Sequence, residues 1–383
     1  MIYCNKCGKS YNDSSSVSSC ACGGHLEYQM NSKVFFPKKK IKSRPETIWR
    51  YREALPLSSD NNIVSLGEGM TPLVLTEWEG KQVYFKLDYL CPTGSFKDRG
   101  SSLFISKLKE MNINKIIEDS SGNAGASMAA YCSRANMRCD VYVPDYTSSD
   151  KVVQISMYGA NVFKVHRSRE DTAIAAEKAG KESDSYYACH NWSSYYPHGV
   201  KTVAFEIWEQ FNWQIPDNIV MPIGQGSLAL GCGLGFNELL IAGEIKSLPR
   251  IYGVQALNCA PLYHAFRKGL TEPEIIQKKE TIAEGISSAI PAKGSTVLKI
   301  IRESEGKIVA VSENEIWPNL KKLARMGFYV EPTSATVTAG LSELIMSGEI
   351  KSDESTVVIL TGFGLKATNK ILELKNKEGN FDN

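Results

Sequence analysis

The sequence predicts an α/β protein: two open, twisted, mostly parallel-sheet domains with helices on both faces, preceded by a small Cys-rich ribbon. Three observations carry that expectation. From about residue 83, short apolar runs alternate with helix-like stretches. Four glycine-bearing turns each follow one of those runs. Four cysteines (Cys4, Cys7, Cys20 and Cys22) crowd the start of a chain of 383 residues. The expected division is a ribbon at 1–30, a larger domain from 31–80 and 186–383, and a smaller α/β domain at 81–185.

In chain order, the leader comes first. Cys4 and Cys7 form a CxxC pair and Cys20 and Cys22 a CxC pair followed by Gly23 and Gly24, with a polar Ser-rich loop between. Tetrahedral zinc takes four thiolates presented on two tight turns, so the leader reads as a zinc ribbon; the alternative is a ribbon that has lost its metal. Cys91, Cys132, Cys139, Cys189, Cys232 and Cys259 are scattered and read as small buried hydrophobes of a reducing cytosol. Lys38 to Lys42 reads as a solvated basic linker, and Gly67-Glu68-Gly69-Met70-Thr71-Pro72-Leu73 as a turn before a short strand. Strands are expected around 83–87, 115–118, 140–143, 161–165, 185–189, 218–222, 251–256, 308–310 and 356–360. Trp208, Phe211 and Trp213, at helical spacing, read as core.

Formal net charge is +2, which gives no general attraction to nucleic acid or membrane surfaces. Hydrophobic content of 43% with 22% charged residues suits a water-soluble enzyme. No apolar run reaches the about 20 residues that span a bilayer, and no secretory signal is legible, so a cytoplasmic chain is expected.

The chemistry concentrates in the four turns. Pro92-Thr93-Gly94-Ser95-Phe96-Lys97-Asp98-Arg99-Gly100 places one lysine where a strand gives way to a helix. A lysine packed away from water loses its proton readily and becomes an amine nucleophile towards a carbonyl. Ser120-Ser121-Gly122-Asn123-Ala124-Gly125 opens an Ala-rich helix whose N-terminus suits a carboxylate. Gly224-Gln225-Gly226-Ser227-Leu228 opens another small-residue helix and suits a phosphate, although it lacks the GxGxxG dinucleotide fingerprint. Thr361-Gly362-Phe363-Gly364 puts a neutral hydroxyl at the end of a strand. Singly, each turn could be structural. Together they offer an imine-forming lysine, a carboxylate nest, a phosphate cup and a hydroxyl, which pyridoxal 5′-phosphate with an amino-acid substrate would need.

These motifs, with Gly67 to Leu73, Glu331-Pro332-Thr333-Ser334-Ala335 and the Cys-bearing leader, resemble the threonine synthase branch of the fold-type-II pyridoxal-phosphate enzymes. The resemblance runs from residue 1 to about 367. It implies that Lys97 is the Schiff-base lysine and proton shuttle, with Phe96 beside the cofactor ring. Asn123 would bond the ring oxygen, Gly224, Gln225, Gly226, Ser227 and Leu228 the phosphate, and Thr361 the pyridine nitrogen. Ser95, Ser120 and Ser121 would hold the substrate carboxylate, with Lys86 near its anionic end and Asn191 and Tyr196 also against the substrate. A homodimer with a small-molecule amino-acid substrate, and no nucleic-acid or membrane partner, is implied as well.

Departures from the family pattern are concentrated at 190–202. Family members place an arginine or a leucine-glutamate pair where this chain has Tyr196, Pro197 and His198. Guanidinium suits phosphate best because its planar fork donates two charge-assisted hydrogen bonds. Lys201, Lys86 and Arg99 are the candidate replacements, and His190 and His198 lie in the same segment. The reading is therefore elimination and replacement on an amino acid with a side-chain leaving group, of the threonine synthase type. The alternatives are a β-replacement synthase acting on an activated serine and a catalytically silent binding module.

Overall fold

The computed structural model describes residues 1–12, 19–30, 33–147, 149–166 and 168–379; the Ser-rich stretch at 13–18 lies outside them. The strands are β1 (Ile2–Cys4), β2 (Ser10–Tyr11), β3 (Leu26–Tyr28), β4 (Leu73–Trp78), β5 (Lys81–Leu87), β6 (Lys115–Glu118), β7 (Arg138–Pro144), β8 (Asn161–Val165), β9 (Tyr186–Tyr187), β10 (Asn218–Pro222), β11 (Arg250–Ala256), β12 (Ile308–Val311) and β13 (Thr356–Leu360). The helices are α1 (Lys38–Ser43), α2 (Lys97–Glu110), α3 (Asn123–Arg134), α4 (Ser149–Met157), α5 (Arg169–Glu182), α6 (Tyr196–Val200), α7 (Thr202–Gln210), α8 (Ser227–Ala242), α9 (Pro261–Arg267), α10 (Gly294–Glu303), α11 (Glu313–Arg325), α12 (Pro332–Met346) and α13 (Thr368–Gly379). All nine expected strands form.

The chain folds as two compact units. The first comprises Met1–Met70, Cys91–Thr93 and Lys97–Thr202; the second comprises Thr71–Leu90, Gly94–Phe96 and Val203–Asn383. In the first, β2-β1-β3 make a small antiparallel ribbon and β8-β7-β6-β9 a fully parallel sheet. Its helix α3 is buried along nearly its whole length, from Ala124 to Cys132, which its small side chains permit. Helix α2 buries Leu103, Phe104, Ile105 and Leu108. The basic linker expected at Lys38 to Lys42 is instead part of α1, because one apolar residue, Ile41, is fully buried while Lys39 and Lys42 stay in solvent.

The second unit carries a six-stranded sheet in the order β12-β11-β10-β13-β5-β4, parallel except for the hairpin partner β4. Every residue of β10 and β13 is buried, the pattern of strands covered on both faces. Helix α11 presents Ile316, Leu320 and Leu323 on one stripe and is capped at its start by the Ser312–Glu315 box. Trp208 is core, whereas Phe211 and Trp213 are half-buried. All six scattered cysteines are buried, and none is in a disulfide among the described residues.

Candidate active site

In the first unit, Lys97 is the opening residue of α2, and that helix start is fixed by a buried hydrogen-bond network. The Asp98 carboxylate accepts from the Thr93 N–H (2.7 Å), the Thr93 hydroxyl (2.6 Å) and the Ser127 hydroxyl of α3 (2.6 Å). The Ser127 and Ser101 hydroxyls stand 2.7 Å apart. The starts of α2 and α3 are thereby tied to each other, and with them Lys97 and Asn123. Burial raises the Asp98 carboxyl to about 6, even though Ser127 and Thr93 hydrogen bonds favour its ionised form.

Helix α6 holds the other side of α2. The Tyr196 hydroxyl donates to the Lys97 carbonyl at 2.9 Å, and the Tyr196 ring covers Gly100 so closely that a Cβ there would lie 2.3 Å from it. A Cβ on Gly199 would lie 2.1 Å from the Arg99 carbonyl oxygen, so the two backbones meet with no room for a side chain. Arg99 is fully buried and donates to Thr202 (3.3 Å); Lys201, also fully buried, meets His198 Nδ1 at 2.9 Å.

Ser120, Ser121 and Asn123 are half-buried in the loop between β6 and α3. Because β6 and β9 run parallel, Glu118 and His190 emerge together at the C-terminal ends of neighbouring strands, where open α/β sheets place ligand contacts. His190 Nδ1 and Glu118 Oε1 are 2.9 Å apart in the interior. Burial, then Asp119, pushes the Glu118 carboxyl well up; burial, then the Lys97 charge, pushes His190 well down. Asp119 accepts from Arg169 at 2.9 Å through one oxygen. Glu118 Oε2, Asp119 Oδ1 and Asn191 Oδ1 are buried without a hydrogen-bond partner among the described residues. The Glu118–His190 pair had no role in the sequence reading, although Glu118-Asp119 stands directly before the Ser120-Ser121-Gly122-Asn123 loop at the end of an apolar run.

In the second unit, residues 94–96 are pinned antiparallel to 361–363. Ser95 bridges Gly362, the Phe96 N–H donates to the Thr361 carbonyl (3.1 Å), and the Phe363 N–H donates to the Gly94 carbonyl (3.0 Å). Lys97 follows one peptide bond after Phe96. Ser334 Oγ accepts the Thr361 and Gly362 N–H groups (3.0 and 2.9 Å) and lies 3.1 Å from Thr361 Oγ1. Ser334 stood in the sequence motif at 331–335 without a role. Ser95 is fully buried, and its hydroxyl has no partner among the described residues.

Gly224 to Leu228 and Thr361 follow β10 and β13, adjacent parallel strands, so both turns sit at the same end of the sheet. Gly226 caps α8 with φ +87°, a conformation that favours glycine, and a Cβ there would lie 2.3 Å from Val297 Cγ2. Gln225 Oε1 accepts from the Ala292 N–H at 2.9 Å, which anchors the turn. Ser227 opens α8, a helix of 16 residues, so a tight turn and a helix N-terminus face one place: the arrangement that cradles a phosphate. Lys86 is elsewhere engaged. Its buried ammonium donates to the Thr71 carbonyl (2.7 Å), Glu206 (2.8 Å) and Gln210 (2.9 Å).

In the leader, the sulfurs of Cys4, Cys7, Cys20 and Cys22 all lie within 4.8 Å of one another, with Cys4–Cys22 at 3.5 Å and Cys7–Cys20 at 3.6 Å. Tetrahedral zinc thiolates stand about 3.8 Å apart for Zn–S bonds of about 2.3 Å, so the spacing fits. The Cys22 backbone N–H, then the Tyr11 side chain, lower the Cys20 thiol to about 6. Among the described residues, no helix is long and apolar enough to cross a membrane.

Each unit by itself holds groups suited to pyridoxal phosphate: the first a lysine at a fixed helix start, the second a buried Ser95 hydroxyl with no partner among the described residues and a turn whose Gly226 admits no Cβ. Comparison with known proteins agrees. The family described as "Pyridoxal-phosphate dependent enzyme" matches residues 64–362. The chain is 37% identical to a threonine synthase of Methanocaldococcus jannaschii, over 95% of this chain and 92% of that one. It is 33% identical to a threonine synthase of Methanosarcina acetivorans, over 97% and 94%. In fold it resembles serine racemase from Dictyostelium discoideum (TM-score 0.63, 26% identity, 77% of this chain and 92% of that one). It also resembles the processed form of threonine deaminase isoform 2 from Solanum lycopersicum (TM-score 0.70, 20% identity, 90% of each chain).

Proposed function

This chain belongs to the pyridoxal-phosphate-dependent enzymes, on their threonine synthase branch, and from that premise we propose that it converts O-phosphohomoserine and water to threonine and phosphate. The observation that carries the assignment is the fixed start of α2, where Lys97 opens the helix and Asp98 accepts from Thr93 and from Ser127 of α3. A reactive amine needs such a fixed origin, since a misplacement of about 1 Å can cost about 100-fold in rate.

When bound, pyridoxal phosphate supplies the electron sink that stabilises negative charge at the substrate Cα. Lys97 would hold it through Nζ and, once the substrate amine takes that place, carry the α-proton on the same nitrogen. Gly224, Gln225, Gly226, Ser227 and Leu228 would hold the cofactor phosphate on their N–H groups and the α8 N-terminus. Asn123 would donate its amide to the ring oxygen and Phe96 would flank the ring. Thr361 would meet the pyridine nitrogen with a hydroxyl backed by Ser334. A neutral hydroxyl does not hold that nitrogen protonated, which favours elimination and replacement over transamination. Ser95, Ser120, Ser121 and Asn191 would bind the substrate, with Ser95 and Asn191 contributing buried oxygens that have no hydrogen-bond partner among the described residues. Of the remaining substrate set, Lys86 has its charge matched by Glu206, and Tyr196 acts on the lysine helix.

The test is a substrate panel. Phosphohomoserine, phosphoserine, acetylserine and acetylhomoserine are each assayed for phosphate or acetate release, and threonine from phosphohomoserine is the expected product. A second reading, β-replacement on an activated serine, draws on the 196–202 segment. Tyr196, His198 and Lys201 are committed to contacts inside the first unit, and Arg99 reaches Thr202. Turnover confined to the serine derivatives would install that reading. A silent binding module is excluded if borohydride fixes the cofactor to Lys97 and turnover is seen.

Cys4, Cys7, Cys20 and Cys22 would bind one zinc ion, which metal analysis of the purified protein would register as one equivalent per chain. We take the enzyme to work as a cytoplasmic homodimer, which sedimentation of the holoenzyme and cell fractionation check.

A further inference from the structure

Helix α6 has only five residues, yet it touches two things that matter: the start of the lysine helix and the Cys-rich leader. On one side, the Tyr196 hydroxyl donates to the carbonyl of Lys97 itself, and its ring fills the space over Gly100. The Tyr196 side chain is fully buried and its ring also packs against His190 (5.4 Å between centroids) and Phe104 (6.5 Å). On the other side, His198 Nε2 meets the carbonyl of Tyr28 at 3.0 Å, and the Tyr28 ring lies edge-on to His198 (5.4 Å) and tilted on Tyr195 (5.2 Å). Lys107 of α2 places its ammonium 5.2 Å from the centre of the same Tyr195 ring.

Tyr28 is not loosely attached. It sits in β3, paired with Ile2 of β1, and that strand ends in Cys4, one of the four clustered thiols. A continuous set of packed groups therefore runs from the cysteine cluster through Tyr28 to Tyr195 and His198, and from Tyr196 to Lys97. All of it lies within the first unit.

We propose that Tyr196 is a positioning residue for Lys97, and that the leader, through Tyr28, is what holds Tyr196 in place. The Lys97 carbonyl accepts the Tyr196 proton at the first turn of α2, where the helix is not yet locked by preceding turns. A hydrogen bond at that carbonyl resists the fraying that would let the lysine side chain wander. This inference rests on Lys97 being the cofactor lysine. It adds that the leader belongs to the catalytic scaffold and is more than an appended domain.

The test uses the full-length holoenzyme with two variants. Tyr196→Phe removes one hydroxyl and keeps the ring over Gly100; Tyr28→Ala removes the leader's ring from Tyr195 and His198. For both, kcat is expected to fall by about 10-fold with KM within about twofold, since orientation is lost while binding is kept. The circular dichroism of the bound-cofactor band should weaken. In cofactor-free protein, amide exchange across residues 97–104 should quicken by about 10-fold relative to α3. Wild-type kcat, dichroism and exchange in both variants would overturn the proposal. A rise in KM alone would overturn it too, by making Tyr196 a substrate contact. So would a loss of activity that tracks cofactor loss, with turnover per bound cofactor unchanged, since that is a folding role. The underlying assignment is tested separately: a Lys97→Ala protein that keeps the borohydride adduct would remove the lysine assignment, whatever Tyr196 does.

Discussion

Asp98, next to the lysine, carries a pH dependence with a definite sign. Its carboxyl is fully buried and burial raises it from 3.8 to about 6, against the pull of hydrogen bonds from Ser127 and Thr93. Between those two values the folded protein binds more protons at this position than the unfolded chain does. Stability from this group is therefore fully present below about pH 4 and is lost as pH rises through 6; the loss amounts to about 3 kcal/mol. Asp98→Asn removes the titration while keeping the shape. The Asn carbonyl can still accept the Thr93 N–H, and its NH2 can donate to the Thr93 and Ser127 hydroxyls, which rotate to accept. The assay is the melting temperature of wild type and variant, side by side, from pH 4.5 to 8. The variant should gain on the wild type by about 2 kcal/mol across that span, since part of the linkage lies below pH 4.5, or roughly 4–8 °C for a unit of this size. A difference that stays constant with pH, or a variant that loses ground as pH rises, would refute a buried carboxyl forced to ionise.

Lys86→Met removes the buried ammonium that meets Glu206 at 2.8 Å and should cost about 3–5 kcal/mol, whereas Lys86→Met with Glu206→Leu should recover most of it; paired denaturation curves decide. Gly226→Ala sets a Cβ against Val297 at φ +87°, so cofactor affinity should fall at least about 10-fold, read by equilibrium titration of the cofactor-free protein, with α8 still folded by circular dichroism. Cys4→Ser should abolish binding of the one zinc equivalent proposed for the leader and lower the melting temperature of the first unit, measured by metal content and calorimetry together; a variant that keeps one equivalent of zinc would exclude Cys4 as a ligand.

Much of the fold could be read directly because its strands are short apolar-rich runs that alternate with helix-like stretches. The run Ile219-Val220-Met221-Pro222 can only be a strand buried on both faces, and it is β10. The grouping of the four leader cysteines was legible in the same way, since CxxC and CxC pairs bring thiols together over a few residues. The Lys38 to Lys42 segment misled for a physical reason: four lysines outweigh one isoleucine in composition, but Ile41 alone decides which side of the turn is buried. Lys86 shows the same limit from the other direction. Its charge in sequence suggested an anion, and its partner turned out to be Glu206, more than a hundred residues away.

The amino-acid sequence by itself determined the α/β class and the order of strands and helices, because propensity and turn chemistry act over a few residues. Tertiary structure decided which charges cancel, which hydroxyls are left without partners, and that Tyr196 reaches the lysine helix rather than standing apart from it. Those outcomes depend on contacts between residues distant along the chain, and burial converts each into a matched or unmatched polar group whose cost no local pattern encodes.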